Sequence, residues 1–227
     1  MTTQPGGAQR GQKCLPTYAV LDTSASMRPY EKVLNETLGR VHEGLFHQKA
    51  VAEFAHLSII SFNSNAHVVL PLKDISKVNA LPELTCGGST NYSQAFRTLV
   101  TQIDLDVSAL RAQGRPVLRP AVFFITDGQP MDESASWEGE FAKLTSPSWP
   151  RRPHVITFGF GDAAAHVLAK IATKAAFKAE AGVEQQEALV SVLNTLLHSL
   201  IASAQNETLM IPTELEGYQS VPLEYID

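Results

Sequence analysis

Cysteine is almost missing from this chain: Cys14 and Cys86 are the only two among 227 residues. Two thiols so far apart in sequence supply neither a disulfide framework nor a zinc site, so a reducing compartment is the expectation. Surplus positive charge is missing as well. Lys and Arg number 18 against 23 Asp and Glu, for a net charge of -5. Phosphate backbones are held by clustered basic residues, and here only the pair Arg151 and Arg152 stands out, so no nucleic-acid partner is expected. No stretch approaches about 20 uninterrupted apolar residues. The polar, Gly-rich start lacks the apolar core of a signal peptide, so neither a membrane partner nor secretion is expected and a cytoplasmic location is. Familiar catalytic signatures are absent too. The seven histidines are scattered, with no His-Glu-x-x-His spacing, and there is no phosphate-binding Gly-x-x-x-x-Gly-Lys-Ser/Thr loop and no Gly-x-Ser-x-Gly elbow.

What is present is an ordinary globular composition, 44% hydrophobic and 18% charged, enough for one domain with a real core. Residues 1–13 are predicted disordered, 14–204 form the domain, and 205–227, with two prolines and no period, form an extended tail. Within the domain, apolar runs without polar alternation at residues 17–21, 57–62, 121–126 and 155–160 read as strands buried on both faces. Stripes at helical spacing predict helices over residues 27–54, 96–110, 137–144, 167–173 and 184–204. Asn63, Ser64 and Asn65 make a turn too short for a crossover, so residues 66–70 return antiparallel at a sheet edge, where Pro71 is tolerated. A last short strand is predicted at 175–179. The fold class is therefore α/β: a three-layer, doubly wound sheet, mostly parallel with one antiparallel edge strand, and helices on both faces.

The chemistry sits at strand ends. The first strand stops at Asp22, followed by Ser24 and Ser26, whose alternation lets one carboxylate and two hydroxyls converge on a hard cation. A Gly87-Gly88-Ser89-Thr90-Asn91 loop lets backbone approach closely and offers Thr90. The strand at 121–126 ends, like the first, in an acid, Asp127, followed by Gly128. In open α/β sheets the ligand crevice lies beyond such carboxyl ends. Taken alone, Asp22-x-Ser24-x-Ser26 reads first as a helix N-cap with Ser26 accepting backbone donors, and only the three-part set below turns the reading to metal binding. Ser89 reads as turn structure, Asp162 as a structural turn residue, and Trp137 as core.

Together, Asp22-x-Ser24-x-Ser26, Thr90 and Thr126-Asp127-Gly128 resemble the metal-ion-dependent adhesion site (MIDAS) of a von Willebrand factor type A (VWA) domain, over residues 17–204. Within that family the chain is most similar to the bacterial tellurite-resistance TerY type. Ala25 departs from the family's usual glycine between the two serines. The resemblance implies a Rossmann-like VWA fold and a cation, Mg²⁺ with Mn²⁺ or Ca²⁺ as alternatives, held by Asp22, Ser24, Ser26, Thr90 and Asp127. It further implies a protein partner that presents Asp or Glu to the metal, including a kinase or phosphatase of a stress-response or tellurite-resistance system, and no enzyme activity of its own. Two other readings remain: a metal-dependent phosphatase-like hydrolase, since a strand-terminal Asp is also how haloacid-dehalogenase-type enzymes place their nucleophile, or a structural scaffold without functional metal. Ser24 stands where the hydrolase pattern has its second acid.

Overall fold

The computed structural model describes residues 12–223. The predicted disorder of 1–13 falls, as far as residue 11, outside the described residues; Gln12 and Lys13 are exposed. Lys13 nevertheless pairs with Glu207 at 2.8 Å, and the Cys14 N–H donates to Pro116 O while its carbonyl accepts from Leu118 N–H, both at 2.9 Å. Strand β1 (Leu15–Asp22) follows and is buried at every position.

The helix predicted over 27–54 is three pieces. A 3-10 turn, Ala25–Tyr30, contains Pro29. Helix α1 (Glu31–Phe46) carries the expected stripe of Leu34, Leu38, Val41 and Leu45. Gln48 then leaves helical geometry (φ -108°, ψ 73°), and a short α2 (Lys49–Phe54) runs directly into β2 (Ala55–Phe62). Strand β2 starts earlier than its apolar run because β1 pairs with it from Leu15↔Ala55 onward. Strand β3 (Ala66–Lys73) returns antiparallel as expected, with two register shifts against β2.

After α3 (Tyr92–Ala112) come β4 (Ala121–Thr126), α4 (Ser134–Thr145), β5 (His154–Gly159), α5 (Ala165–Lys170), β6 (Ala175–Ala179) and α6 (Gln185–Asn206). The sheet order is β3-β2-β1-β4-β5-β6 and then one strand more. Residues Tyr218–Ser220 of the predicted extended tail form β7, antiparallel to β6, so both edges of a parallel centre are antiparallel. Tyr218 is buried and donates its hydroxyl to Ala188 O of α6 at 3.0 Å, while Val221 and Leu223 pack near Ala172 and Ala176.

Strand alternation divides the core into two layers. Ala19, Leu21, Phe123 and Ile125 face α1 and α6; Tyr18, Val20, Val122 and Phe124 face α3 and α4. By length and composition α6 resembles a membrane span, with mean hydropathy 1.3, but half of that window is buried in the protein. Leu189, Val192, Leu193, Leu196 and Leu200 make it a core helix, each side chain adding about 1.5–3 kcal/mol of burial. From β1 the chain winds outward through β2 to β3, and from β4 it winds the other way. The reversal falls between β1 and β4, where Leu21 pairs with Ile125 and the two acid-bearing ends lie side by side.

Candidate metal centre

Burial, not exposure, marks the first acid. Asp22 is 1% exposed and its two oxygens are both engaged: Oδ1 accepts the Ser24 N–H at 2.8 Å and Oδ2 accepts the Thr126 hydroxyl at 2.6 Å. Ser24 precedes the 3-10 turn as its N-cap, yet its side chain makes no capping bond. Instead Ser24 Oγ lies 3.0 Å from Ser26 Oγ, and Ser26 Oγ donates to Asp127 Oδ1 at 2.9 Å. The expected cap, Ser26, thus spends its hydroxyl on Ser24 and Asp127, and the residue at the cap position is Ser24. Four of the five proposed ligands form one hydrogen-bonded chain from the end of β1 to the end of β4.

The fifth, Thr90, is brought in by loop locking. The turn after β1 is clamped to the Gly-rich loop by Gly87 N–H to Thr23 O (2.8 Å) and Ala25 N–H to Gly88 O (3.0 Å). Gly88 sits at φ +80°, and a Cβ there would lie 2.7 Å from Ser64 Oγ, so glycine is required. Ser89 is bound to Ser64 through both its N–H and its hydroxyl, as a turn residue should be. On the other side, Met131 N–H donates to Thr90 O at 2.8 Å. Asp132 accepts the Tyr92 and Ser93 N–H groups at 3.0 and 2.9 Å, and the Ser93 hydroxyl as well, at the start of α3. The loop after β4 is thus pinned to the loop before α3, and a Cβ on Gly128 would stand 3.7 Å from Thr90 Oγ1.

These loops enclose a cleft of about 460 Å³ whose walls include Ser26, Thr90, Asp127, Met131, Asp162 and Gln185. Asp22 and Ser24 lie beneath it. Several contributors take their role only from the fold. Tyr92, fully buried among Phe62, Phe96, Phe124 and Trp137, donates its hydroxyl to Gly128 O at 3.1 Å and steadies the loop that bears Asp127. Thr126 was part of the motif, but its bond to Asp22 depends on β1 and β4 being neighbours. Asp162 donates its N–H to Asp127 O at 2.8 Å and also walls the cleft, the first of these being the structural part expected of it. Trp137 is core, 5% exposed.

Electrostatically the site is short of positive charge. Burial raises Asp22 to about 6, against the pull of its hydrogen bonds from Thr126 and Ser24 and with some help from the Asp127 charge. Burial likewise raises Asp127, and the Ser26 hydrogen bond opposes it. Cys86, in the adjoining loop, is pushed up to about 12 by burial and by the charges of Glu31, Asp22 and Asp127. A cation would relieve each of these costs. Thr90 is 4% exposed and its hydroxyl finds no hydrogen-bond partner among the described residues, which leaves its lone pairs available. Nor do the described residues hold any group of three or more His, Cys, Asp or Glu suited to a metal. The donor set is hydroxyl and carboxylate oxygen, the chemistry of a hard cation.

Known proteins share the fold that carries this site. Residues 17–129 match the family model described as von Willebrand factor type A domain. No curated protein matches the chain. Among solved structures the fold is similar to a von Willebrand factor type A protein from Catenulispora acidiphila, at 13% identity and TM-score 0.56, covering 84% of this chain and 43% of that one. It is similar to proximal thread matrix protein 1 from the mussel byssus, in a structure with a zinc-occupied MIDAS motif, at 17% identity and TM-score 0.59 over 86% and 49%. The ArnB paralog VWA2 from Sulfolobus acidocaldarius matches at 15% identity and TM-score 0.54 over 83% and 46%. The chain spans less than half the length of these three. At such identities the likeness to these structures is one of fold alone; the family rests on residues 17–129, which match the von Willebrand factor type A domain.

Proposed function

We propose that this chain is a metal-dependent protein-binding module whose partner supplies an aspartate or glutamate to a cation held by Asp22, Ser24, Ser26, Thr90 and Asp127. The observation that carries the reading is the unbroken chain of hydrogen bonds from Asp22 through Ser24 and Ser26 to Asp127, with the unpartnered Thr90 hydroxyl beside it. Bound Mg²⁺, with Mn²⁺ or Ca²⁺ as alternatives, would supply a Lewis-acidic position for an incoming carboxylate. The protein's own part is positional. Thr126 and the Ser24 N–H fix the Asp22 carboxylate, Ser26 fixes Asp127, and Tyr92 holds the Gly128 carbonyl.

The module is read as a binder and not an enzyme. In support, the cleft walls offer Ser26, Tyr30, Thr90, Asp127, Gln129, Asp162 and Gln185 but no histidine or lysine to pair with a nucleophile. The finer reading, a cytoplasmic protein of the TerY type whose partners belong to a stress or tellurite response and include a kinase or phosphatase, rests on the sequence resemblance. The two buried free thiols, Cys14 and Cys86, favour a reducing compartment.

The test is affinity capture from the source lysate in Mg²⁺, in EDTA, and with Ser24→Ala in Mg²⁺. A partner held only by wild type with metal is the expected result, and partners held equally in all three defeat the reading. Hydrolysis of an aryl phosphate that is abolished by Asp22→Asn would replace it with the enzyme alternative.

A further inference from the structure

Only Arg151 and Arg152 stand together in the sequence, but the fold adds two more arginines to them. Arg111, on the last turn of α3, Arg119, just before β4, and Arg151 and Arg152, in the loop before β5, line one cleft of about 310 Å³ with Val117 and Pro150. That volume is near the lower bound, about 300 Å³, of small-ligand sites. It lies at the amino ends of β4 and β5. The six residues of β4, roughly 20 Å, separate it from the metal cleft.

Four of the chain's nine arginines, and none of its nine lysines, stand here in a protein of net charge -5. Three are fixed by main-chain carbonyls, which orient a guanidinium without neutralising it. Arg119 donates to Arg152 O at 3.0 Å and Pro153 O at 3.1 Å, Arg152 donates to Pro147 O at 2.9 Å, and Arg151 donates to Asp104 O at 3.0 Å. Arg151 also meets the Asp104 carboxylate. Arg111 and Arg152 meet no carboxylate among the described residues. Three preset guanidinium forks, with the exposed Arg111 beside them, match the geometry of a tetrahedral oxyanion and not of a chloride ion.

We propose that this cleft is a binding site for a phosphate monoester or free phosphate, independent of the metal centre. Its compactness favours one phosphoryl group over an extended polyanion, since backbone binding to nucleic acid needs a stripe of charges along a face.

The experiment is isothermal titration of the full chain, in EDTA so that no metal-bound phosphate contributes, at constant ionic strength. Inorganic phosphate, O-phosphoserine and a single-stranded oligonucleotide are the three probes. Saturable binding of phosphate or phosphoserine is expected, weakened about tenfold or more by Arg111→Gln with Arg152→Gln, as loss of charge-assisted hydrogen bonds requires. The tighter of the two small probes tells whether the natural ligand is a free anion or a phosphorylated side chain. Arg111→Gln alone touches an exposed residue with no hydrogen bond among the described residues, so it serves should the double variant fail to fold. No saturable heat, binding unchanged in the variants, or an oligonucleotide bound more tightly than phosphoserine would each overturn the proposal.

Discussion

Asp22→Asn in metal-free protein separates the electrostatic cost of the site from its architecture. Burial raises the Asp22 carboxyl from 3.8 to about 6. A raised acid binds its proton more tightly in the native state, so its stabilising effect is complete below the unfolded value near 4. It is lost as pH rises through 6, and stability above that pH is lower. The rise corresponds to about 3 kcal/mol. For a chain of this size that is roughly 6–12 °C in melting temperature. Asparagine keeps the shape and keeps an acceptor for the Ser24 N–H, and Thr126 can redirect its hydroxyl to Gly128 O, 3.2 Å away. In EDTA the wild type should therefore lose stability between pH 4 and 7 relative to the variant, which should be the more stable of the two at pH 7.5. Adding Mg²⁺ should reverse the order, because only the wild type has both charges to offer. Melting curves at half-unit pH steps read both effects. Parallel pH profiles in EDTA, or a variant less stable than wild type at pH 7.5, would refute the reasoning.

Three further substitutions test the packing. Gly159→Ala puts a methyl group into Leu168 and within 2.9 Å of Ala163 Cβ, so denaturant unfolding should show a loss of about 1–3 kcal/mol. Ser199→Ala removes a buried hydroxyl that has no partner among the described residues, and stability should rise by about 1 kcal/mol; a loss would mean the hydroxyl is satisfied. Tyr92→Phe removes the hydroxyl held by Gly128 O and Thr126 and should cost about 1–2 kcal/mol, with a matching rise in the Mg²⁺ concentration needed for half the thermal shift.

The parts legible in the sequence are those where a single local rule decides. The runs at β1, β4 and β5 have no polar alternation, and each acid ends its strand, so Asp22, Ser24, Ser26 and Asp127 could be named before any contact was known. Parts decided by partners were not legible. Whether a helical stripe from Met27 to Phe54 is one helix or three pieces depends on where β2 must start to pair with β1. Three residues, Tyr218–Ser220, are too few for a strand period, and their place comes from the free edge of β6 and the Ala188 carbonyl. Asp132 and Tyr92 acquire their roles only when the loop after β4 meets the start of α3. The arginine cleft follows the same logic, since its members are contributed by separate connections of the chain.

The two antiparallel flanks have a consequence for how such a chain survives at high concentration. A parallel strand left on the outside presents a straight row of unpaired amides to any neighbour. On one side β3 answers this with Pro71, a terminal lysine and two register shifts; on the other, β7 covers β6 with a strand only three residues long. Cutting the chain at residue 204 would keep the metal residues and discard that cover. The strand Ala175–Ala179, with Phe177 at its centre, would become a template for a second copy, so the last segment works as a guard against self-association.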